Sequence, residues 1–314
     1  MSATSDTRRV DLHLHSTASD GSLAPAELVA RAKSLGLAAI AITDHDSIGG
    51  VAEGLAAGRV HDIEVVPGVE IGISHDPDRG LVEADVLGYF FDPGHAELGE
   101  TLAALQEAKN GKLDRQIAVL AENGLPIDRE EVLELAAGDT VRRPHIWKVI
   151  ARHHPGFPAQ EFFDRTSFGG DWHVTKAVSL SLEECVELIV RAGGVPVLAH
   201  PGAYNTTFSK AGELVDPGVD AAIEVCAGAG VRGLEVYYTY NKNRPFYDGR
   251  PLIDHAEFDR LVSHYAALAQ RHGLLMTGGT DFHGSNKPQI QIGEIEIPYA
   301  LLQKLKEAAG GSGA

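Results

Sequence analysis

The sequence predicts an α/β fold in which strands and helices alternate around a barrel, interrupted once by a helical insertion. Short apolar, β-branched runs recur along the chain and are separated by segments of helical periodicity, which is typical of parallel strands joined by crossover helices. Polar, metal-competent residues follow five or six of these runs. Barrel enzymes place their active sites at the C-terminal ends of the strands, so this pattern favours a barrel over an open sheet.

Seven segments are predicted as parallel strands, in the order 10–15, 40–42, 65–70, 84–90, 195–199, 233–238 and 274–278. The first predicted helix, residues 25–35, has Pro25 in its first turn and Gly36 just beyond its end, which are ordinary start and stop signals. The later helices of the barrel are predicted over residues 182–192, 219–227, 257–272 and 299–308.

The predicted barrel comprises residues 8–94 and 179–309, and the helical insertion comprises residues 95–178. Helices are predicted in the insertion over residues 98–123 and 129–137, where no strong strand signal occurs. Such an insertion could cover the strand ends as a lid or pack beside the barrel. Residues 310–314 are predicted to be a flexible tail.

Composition and charge argue against several classes of protein. None of the 314 residues belongs to an apolar run near the roughly 20 residues that cross a bilayer. The formal charge of −17 disfavours a stable DNA or membrane partner, although local cations could still bind a small phosphorylated substrate. Because the first residues are polar, we expect a cytoplasmic protein. The two cysteines are expected to be free thiols that pack in the core. The sequence leaves the oligomeric state open.

Histidine and carboxylate residues follow most of the predicted strands. His13 and His15 lie two residues apart, as do Asp281 and His283, so each pair can point to one side of its strand. The other candidates near strand ends are Asp20, His45, Glu70 and His200. Each has an ordinary alternative, such as a core histidine, an Asp-Gly turn or a helix cap. Their joint occurrence predicts a multinuclear site, and mixed imidazole and carboxylate ligands suit Zn²⁺, Mn²⁺ or Fe²⁺ better than Ca²⁺.

The motifs around these residues resemble those of the PHP (polymerase and histidinol phosphatase) superfamily. They are Asp-Leu-His-Leu-His-Ser with Ser-Asp-Gly, Thr-Asp-His-Asp, Pro-Gly-Val-Glu, Ala-His-Pro-Gly and Thr-Asp-Phe-His-Gly, in this order from residue 10 to about residue 300. Arg143-Pro144-His145 and the insertion are similar to the branch that dephosphorylates AMP or nucleoside 3′,5′-bisphosphates. Related members trim RNA from its 5′ end. The resemblance implies a distorted seven-stranded, TIM-like barrel that holds two or three divalent ions.

Carried over position by position, the resemblance implies nine metal ligands. The first ion would be surrounded by His13, His15, Glu70 and Asp281. The second would be held by Asp20, His45 and His283, with sharing between the two positions. The third would use His200 and Asp85, which stands where the family usually has a histidine. Because Asp85 is a harder ligand, this position is expected to prefer Mn²⁺ or Mg²⁺ or to bind weakly, with His75 as an alternative ligand.

The implied activity is hydrolysis of a phosphate monoester of a nucleotide or similar small metabolite. The ions would acidify bound water, and the hydroxide formed would attack phosphorus. The residues expected to be catalytic through these ions are Asp20, His45, Glu70, Asp281 and His283. Arg143 would bind a phosphate oxygen pair and His145 would donate to phosphate or to the leaving oxygen, although Arg143 could instead form a salt bridge within the insertion.

Departures from the family pattern leave other activities open. Arg142 replaces the usual glycine before Arg143, and residues 237–241 lack a histidine often found in relatives. The alternatives are 5′–3′ exonucleolytic trimming of short RNA and hydrolysis of a specialised-pathway phosphorylated or cyclic-phosphate intermediate. C–N bond hydrolysis is disfavoured because no metal-bridging lysine stands at these strand ends, and a non-enzymatic metal-binding role is disfavoured by the nearly complete ligand set.

Overall fold

The computed structural model describes residues 7–82, 84–136, 141, 143–201, 218–242 and 255–310. Its strands are β1 (Val10–Leu14), β2 (Ala39–Ile42), β3 (Glu64–Gly72), β4 (Asp85–Tyr89), β5 (Val195–Leu198), β6 (Gly233–Tyr237) and β7 (Leu275–Gly278). They form one seven-stranded sheet in the order β1-β2-β3-β4-β5-β6-β7. Each coincides with one of the predicted strands.

The helices whose whole length lies in these described ranges are α1 (Pro25–Ser34), α2 (Val51–His61), α3 (Ala96–Glu122), α4 (Arg129–Ala136), α5 (Arg143–His153), α6 (Ala159–Thr166), α7 (Leu182–Arg191), α8 (Gly218–Gly228), α9 (His255–His272) and α10 (Tyr299–Gly310). Sequence analysis did not predict α5 and α6, which are short and begin at or next to a proline. Among the helices of the described residues, none is both long enough and apolar enough to cross a bilayer.

The direction of β4 differs from the prediction of seven parallel strands. Strand β4 pairs antiparallel with both β3 and β5, whereas the other neighbouring strands are parallel. A parallel connection needs a crossover, usually a helix, but in the described residues between β3 and β4 (73–82 and 84) the helical structure is limited to the short 3₁₀ helix Pro77–Arg79. The first residue of β4, Asp85, consequently pairs with Gly72 at the last residue of β3.

The two edges of the sheet approach each other at the ends of β1 and β7. An isolated parallel bridge joins Leu14 to Phe282. The His15 amide donates to the Phe282 carbonyl at 3.0 Å, and the Asp281 amide donates to the His13 carbonyl at 2.9 Å. The sheet is therefore a nearly closed barrel, which confirms the predicted fold class, and its closure places the His-x-His and Asp-x-His segments side by side.

Helix α3 packs in two hydrophobic clusters. Leu98 and Leu102, in its first half, join the large cluster that covers β3, β4 and α7. Leu113 and Leu120, further along, join a separate cluster with side chains of α4, α5 and α6, among them Phe162. The predicted barrel and insertion boundaries at residues 94 and 179 stay a prediction, because α3 contributes to both cores.

The two cysteines lie in the large cluster that α3 shares with the barrel. Cys185 on α7 and Cys226 on α8 are free and buried. Their expected role as reduced packing residues agrees with this placement.

Candidate metal centre

The paired residues of β1 and β7 meet at the mouth of the barrel. The Nε2 atoms of His13 and His15 lie 3.1 Å apart. Asp281 Oδ1 lies 3.1 Å from His15 Nε2 and 3.7 Å from His13 Nε2. All three side chains are almost completely buried. Three donor atoms from two neighbouring strands thus converge on one point, as the alternate-residue spacing predicts.

Glu70 connects this group to the remaining histidines. Its Oε2 atom lies 2.7 Å from His45 Nδ1 and 3.4 Å from both His13 Nε2 and His15 Nε2. Its other oxygen, Oε1, lies 2.8 Å from His200 Nε2. Because the two oxygens of one carboxylate face different histidines, Glu70 is placed to bridge two cation positions.

A second group forms around Asp20, which follows β1 in a loop. Asp20 Oδ1 lies 3.2 Å from His283 Nε2 and 3.6 Å from His15 Nδ1. Asp20 Oδ2 lies 3.8 Å from His45 Nε2. The four side chains each offer one ligand atom within 4.8 Å of the others. His15 is therefore shared between the two groups, as the predicted sharing allows.

The residues assigned to a third ion lie beside Glu70. Asp85 Oδ2 is 3.8 Å from His200 Nε2. His200 groups with His13 and Glu70, whereas Asp85 groups with His45 and Glu70. The antiparallel direction of β4 produces this proximity, since it turns the start of that strand toward the C-terminal ends of its neighbours.

Two residues of the predicted ligand set have backbone conformations that are unusual for residues with a side chain. His200 and Asp281 have φ angles of +24° and +56°, in the left-handed region that favours glycine. Such conformations cost free energy and persist where the surrounding structure imposes them. Both residues belong to the predicted ligand set, which the structure brings together in full.

The donor set fits divalent cations. His15 Nδ1 is buried and has no hydrogen-bond partner, which is costly for a polar atom without a cation, and Glu70 Oε2 is surrounded by imidazole nitrogens. The Nε2 atoms of His13 and His15 lie 3.1 Å apart, and both lie within 3.7 Å of oxygens of Glu70 and Asp281, so one cation could take ligands from all four side chains. Imidazole and carboxylate together are the ligand types of Zn²⁺, Mn²⁺ and Fe²⁺ sites.

The pKa values of two carboxylates of the centre, Glu70 and Asp281, are lowered despite their burial. Burial alone would raise the pKa of Glu70, but His45 and His13 hold it well below its usual value. Burial would likewise raise the pKa of Asp281, but Lys287 and the histidines around it hold that pKa well below its usual value. Both side chains are therefore in the charged form that ligates a cation.

His15 is in its neutral form. Burial lowers the pKa of His15 well below its usual value, and the neighbouring His283 and His45 lower it further. A neutral imidazole has a lone pair available for a metal ion, so no proton has to leave His15 before a cation binds.

Glu235, on β6, is a buried carboxylate that sequence analysis missed. Its Oε1 accepts a hydrogen bond from His13 Nδ1 at 2.9 Å, and its Oε2 accepts one from the His200 amide at 2.8 Å. Burial lowers the pKa of His13, but Glu235 and Glu70 together raise it well above its usual value. The signal in the sequence was a single acid inside the apolar strand Gly-Leu-Glu-Val-Tyr, which has no ordinary place in a core.

Lys287 and Tyr238 are two further contacts that sequence analysis did not identify. Lys287 Nζ lies 2.7 Å from Asp281 Oδ2, and the Tyr238 hydroxyl donates to the same oxygen at 2.8 Å. Both residues are buried. They occupy one oxygen of Asp281 and leave the other, Oδ1, directed at His13 and His15.

The predicted substrate-binding residues lie in the insertion. Arg143 is the first residue of α5, and its Nη1 donates to Ser167 Oγ at 2.5 Å. His145, on the same helix, is buried. Arg142 lies outside the described residues. The roles of Arg143 and His145 toward phosphate stay a prediction.

Helix α3 of the insertion contacts the segment that follows β2. Gln106 Nε2 donates to the carbonyl oxygens of His45 and Asp46 at 3.3 Å. Lys109, one turn further along, forms an ion pair with Asp46. The insertion therefore reaches the end of the barrel at which the metal-competent residues lie.

The comparisons of this chain with known proteins agree with one another. Residues 11–158 match the model of the PHP domain. The chain is 28% identical over 288 residues to a 3′,5′-nucleoside bisphosphate phosphatase of Chromobacterium violaceum, with 91% of both chains covered. It is 34% identical over 204 residues to a 5′-3′ exoribonuclease of Haemophilus influenzae, covering 64% of this chain and 72% of that one. A solved structure from Bifidobacterium adolescentis, assigned as a metal-dependent phosphoesterase, superimposes with a TM-score of 0.72 at 26% identity over 95% of both chains.

Proposed function

This chain belongs to the PHP family, and we propose from that premise that it is a metal-dependent phosphatase acting on a nucleotide or a similar small phosphorylated metabolite. The metal-dependent phosphoesterase predicted from the motifs is confirmed by the family. The proposed substrates are AMP and nucleoside 3′,5′-bisphosphates, the second being the substrate named for the Chromobacterium relative.

One observation carries this proposal: all nine predicted ligands lie in one cluster linked through Glu70, and eight of them are buried while Asp85 is half-buried. Divalent ions bound there would acidify water and neutralise negative charge on a phosphate group. We propose Mn²⁺, Zn²⁺ or Fe²⁺ for the group around Asp281 and the group around Asp20. Mg²⁺ or Mn²⁺ is the proposed occupant beside Asp85, where a carboxylate replaces an imidazole.

The protein's own residues contribute orientation and charge. Glu235 holds His13 with its Nε2 atom toward Glu70 and Asp281. Lys287 fixes Asp281 through a single oxygen. Because these side chains are locked by buried hydrogen bonds, the site needs little rearrangement when a phosphate ester enters. Arg143 and His145 are the proposed donors to phosphate oxygens and to the leaving oxygen.

The test is a substrate panel assayed with Mn²⁺, Zn²⁺ or Mg²⁺ after the protein has been stripped with a chelator. AMP, adenosine 3′,5′-bisphosphate, a sugar phosphate, a cyclic phosphate and histidinol phosphate form the panel. Glu70→Gln is expected to abolish phosphate release and to lower the bound metal measured by elemental analysis. Glu122→Gln, which changes an exposed acid at the end of α3, is the matched control and should keep both. Full phosphate release by Glu70→Gln would overturn the proposal.

Exonucleolytic trimming of short RNA is a second candidate, favoured by the 34% identity to the Haemophilus exoribonuclease. A 5′-phosphorylated oligoribonucleotide added to the panel separates the two activities. Release of mononucleotides in steps from the 5′ end would support exonuclease action, whereas release of inorganic phosphate alone would support the phosphatase.

A further inference from the structure

Two lysines of the insertion converge on a single buried aspartate beside the metal centre. Asp46 follows His45 after β2, and its Oδ1 accepts a hydrogen bond from the Gly72 amide at 3.2 Å. Its Oδ2 forms an ion pair with Lys109 and lies 3.9 Å from Lys176 Nζ. Lys109 belongs to α3, and Lys176 lies between α6 and α7.

The two lysines bring positive charge to the edge of an acidic cluster. Two ammonium groups face the Asp46 carboxylate, and the Asp85 carboxylate assigned to the metal centre lies on the other side of Gly72. Burial would raise the pKa of Asp46, but Lys109 and Lys176 lower it below its usual value. The Asp46 side chain is 1% exposed, whereas those of Lys109 and Lys176 are 12% and 21% exposed. The two ammonium groups are therefore nearer to solvent than the carboxylate that they face, in a chain whose formal charge is −17.

The Lys176 ammonium and the Asp85 carboxylate both approach Gly72, where the missing side chain leaves a gap between them. A Cβ atom at Gly72 would lie 3.3 Å from Lys176 Nζ and 3.0 Å from Asp85 Oδ1. Asp85 in turn is 3.8 Å from His200. The ammonium group therefore borders the part of the metal centre formed by Asp85, His200 and Glu70.

We propose that Lys176, supported by Lys109, binds a second anionic group of the substrate while the group to be hydrolysed lies at the metal centre. This inference rests on the proposed phosphatase function and narrows it to substrates with two phosphates on one small molecule. Lys109 forms an ion pair with Asp46, so it contributes positive electrostatic potential and holds Asp46 in place. Lys176, which lies farther from Asp46, contacts the second anionic group of the substrate. An ammonium group held beside a fixed carboxylate binds phosphate as a point charge, and the low solvent exposure strengthens that attraction.

The experiment compares adenosine 3′,5′-bisphosphate with AMP, which share the base and differ by one phosphate. Lys176→Ala is expected to raise KM for the bisphosphate about tenfold, with kcat and the KM for AMP changed by less than about twofold. Lys176→Arg should restore most of the bisphosphate affinity. Lys148→Ala removes the same charge from an exposed position on α5 and should leave both substrates unaffected.

Gly72→Ala provides an independent variant that leaves both lysines in place. The added methyl group meets the ends of Lys176 and of Asp85, a proposed metal ligand, so bound metal is measured for this variant together with KM. It is expected to raise KM for the bisphosphate more than that for AMP. Melting temperatures of all variants should stay close to that of the native protein.

Equal changes in KM for the two nucleotides in Lys176→Ala, or no change in either, would overturn the inference while leaving phosphatase activity established. If the native protein hydrolyses neither nucleotide, the proposed function fails, and calorimetric titration of the native and Lys176→Ala proteins with both nucleotides then decides the inference. About tenfold weaker binding of the bisphosphate alone would uphold it, and equal binding would contradict it.

Discussion

Replacing Glu235 by glutamine should weaken metal binding without removing any ligand. Glu235 uses one oxygen for His13 Nδ1 at 2.9 Å and the other for the His200 amide at 2.8 Å. Glutamine has the same shape but only one accepting oxygen, so one of these donors would face an NH₂ group. Loss of a carboxylate that is hydrogen-bonded to the second ring nitrogen of a metal-binding histidine typically lowers the affinity for metal ten- to hundredfold. This corresponds to about 1.4 to 2.7 kcal/mol of binding free energy.

The size of this loss should depend on pH in a definite direction. Glu235 helps to raise the pKa of His13, so in the native protein a proton competes with the cation as the pH falls. In Glu235→Gln that pKa is lower, so the competition is weaker. The deficit in affinity relative to the native protein should therefore be largest near pH 8.5 and should shrink toward pH 6.

The assay is competition with a chromophoric chelator for Mn²⁺ or Zn²⁺ at several pH values. Glu224→Gln, which changes an exposed acid on α8, is the matched control and should bind metal as the native protein does. Affinity of Glu235→Gln within twofold of the native value at pH 8.5, or a deficit that grows as the pH falls, would refute the reasoning.

Three more outcomes are expected. Lys287→Met should lower the free energy of unfolding of the metal-free protein, measured in urea titrations, by about 3 kcal/mol, because the buried Asp281 carboxylate loses the ammonium group that neutralises it. Bound metal should reduce that loss. Metal binding should release about one proton from His13, whose pKa is raised, so the affinity for metal should fall about tenfold per pH unit below that pKa. Calorimetry in two buffers of different ionisation enthalpy measures the number of protons released. Phe162→Ala should cost about 3 to 5 kcal/mol by opening a cavity in the core of the insertion, while metal content, measured by elemental analysis, stays unchanged.

Two controls accompany these variants. Lys304→Met changes an exposed lysine of α10 and should leave stability within about 0.5 kcal/mol of the native value. Phe168→Ala removes a ring that is 39% exposed and should cost far less than Phe162→Ala. If Lys287→Met loses as much stability in saturating metal as without metal, the role assigned to that lysine is contradicted. If Phe162→Ala loses bound metal, the core of the insertion is not independent of the metal centre.

The ligands could be predicted because the signal is local. A strand is apolar along its length, so polar side chains that follow it, as His45 follows β2, stand out against their neighbours. Residues two apart on a strand share a face, and this is the geometry that the structure has at His13 and His15. Both signals depend only on the two-residue repeat of a strand and on the contrast between apolar and polar side chains. Both can therefore be read from residues that are close together in the sequence.

Glu235 and Lys287 could not be assigned by the same reasoning. Glu235 lies within a strand, and its partners are 222 and 35 residues away in the chain. Lys287 follows the last histidine motif, in a region whose local pattern is that of a loop. Their roles depend on which strands are neighbours and where the loops fold back, which are properties of the assembled barrel.

The amino-acid sequence by itself determined the α/β class, the positions of seven strands and the nine predicted metal ligands that the fold brings together. Only the tertiary structure decided the reversed direction of β4, which brings Asp85 next to His200, and the docking of the insertion, which brings Lys109 and Lys176 to Asp46. The physical reason is that strand formation depends on side chains a few residues apart, whereas strand direction and docking depend on contacts between segments far apart in the chain.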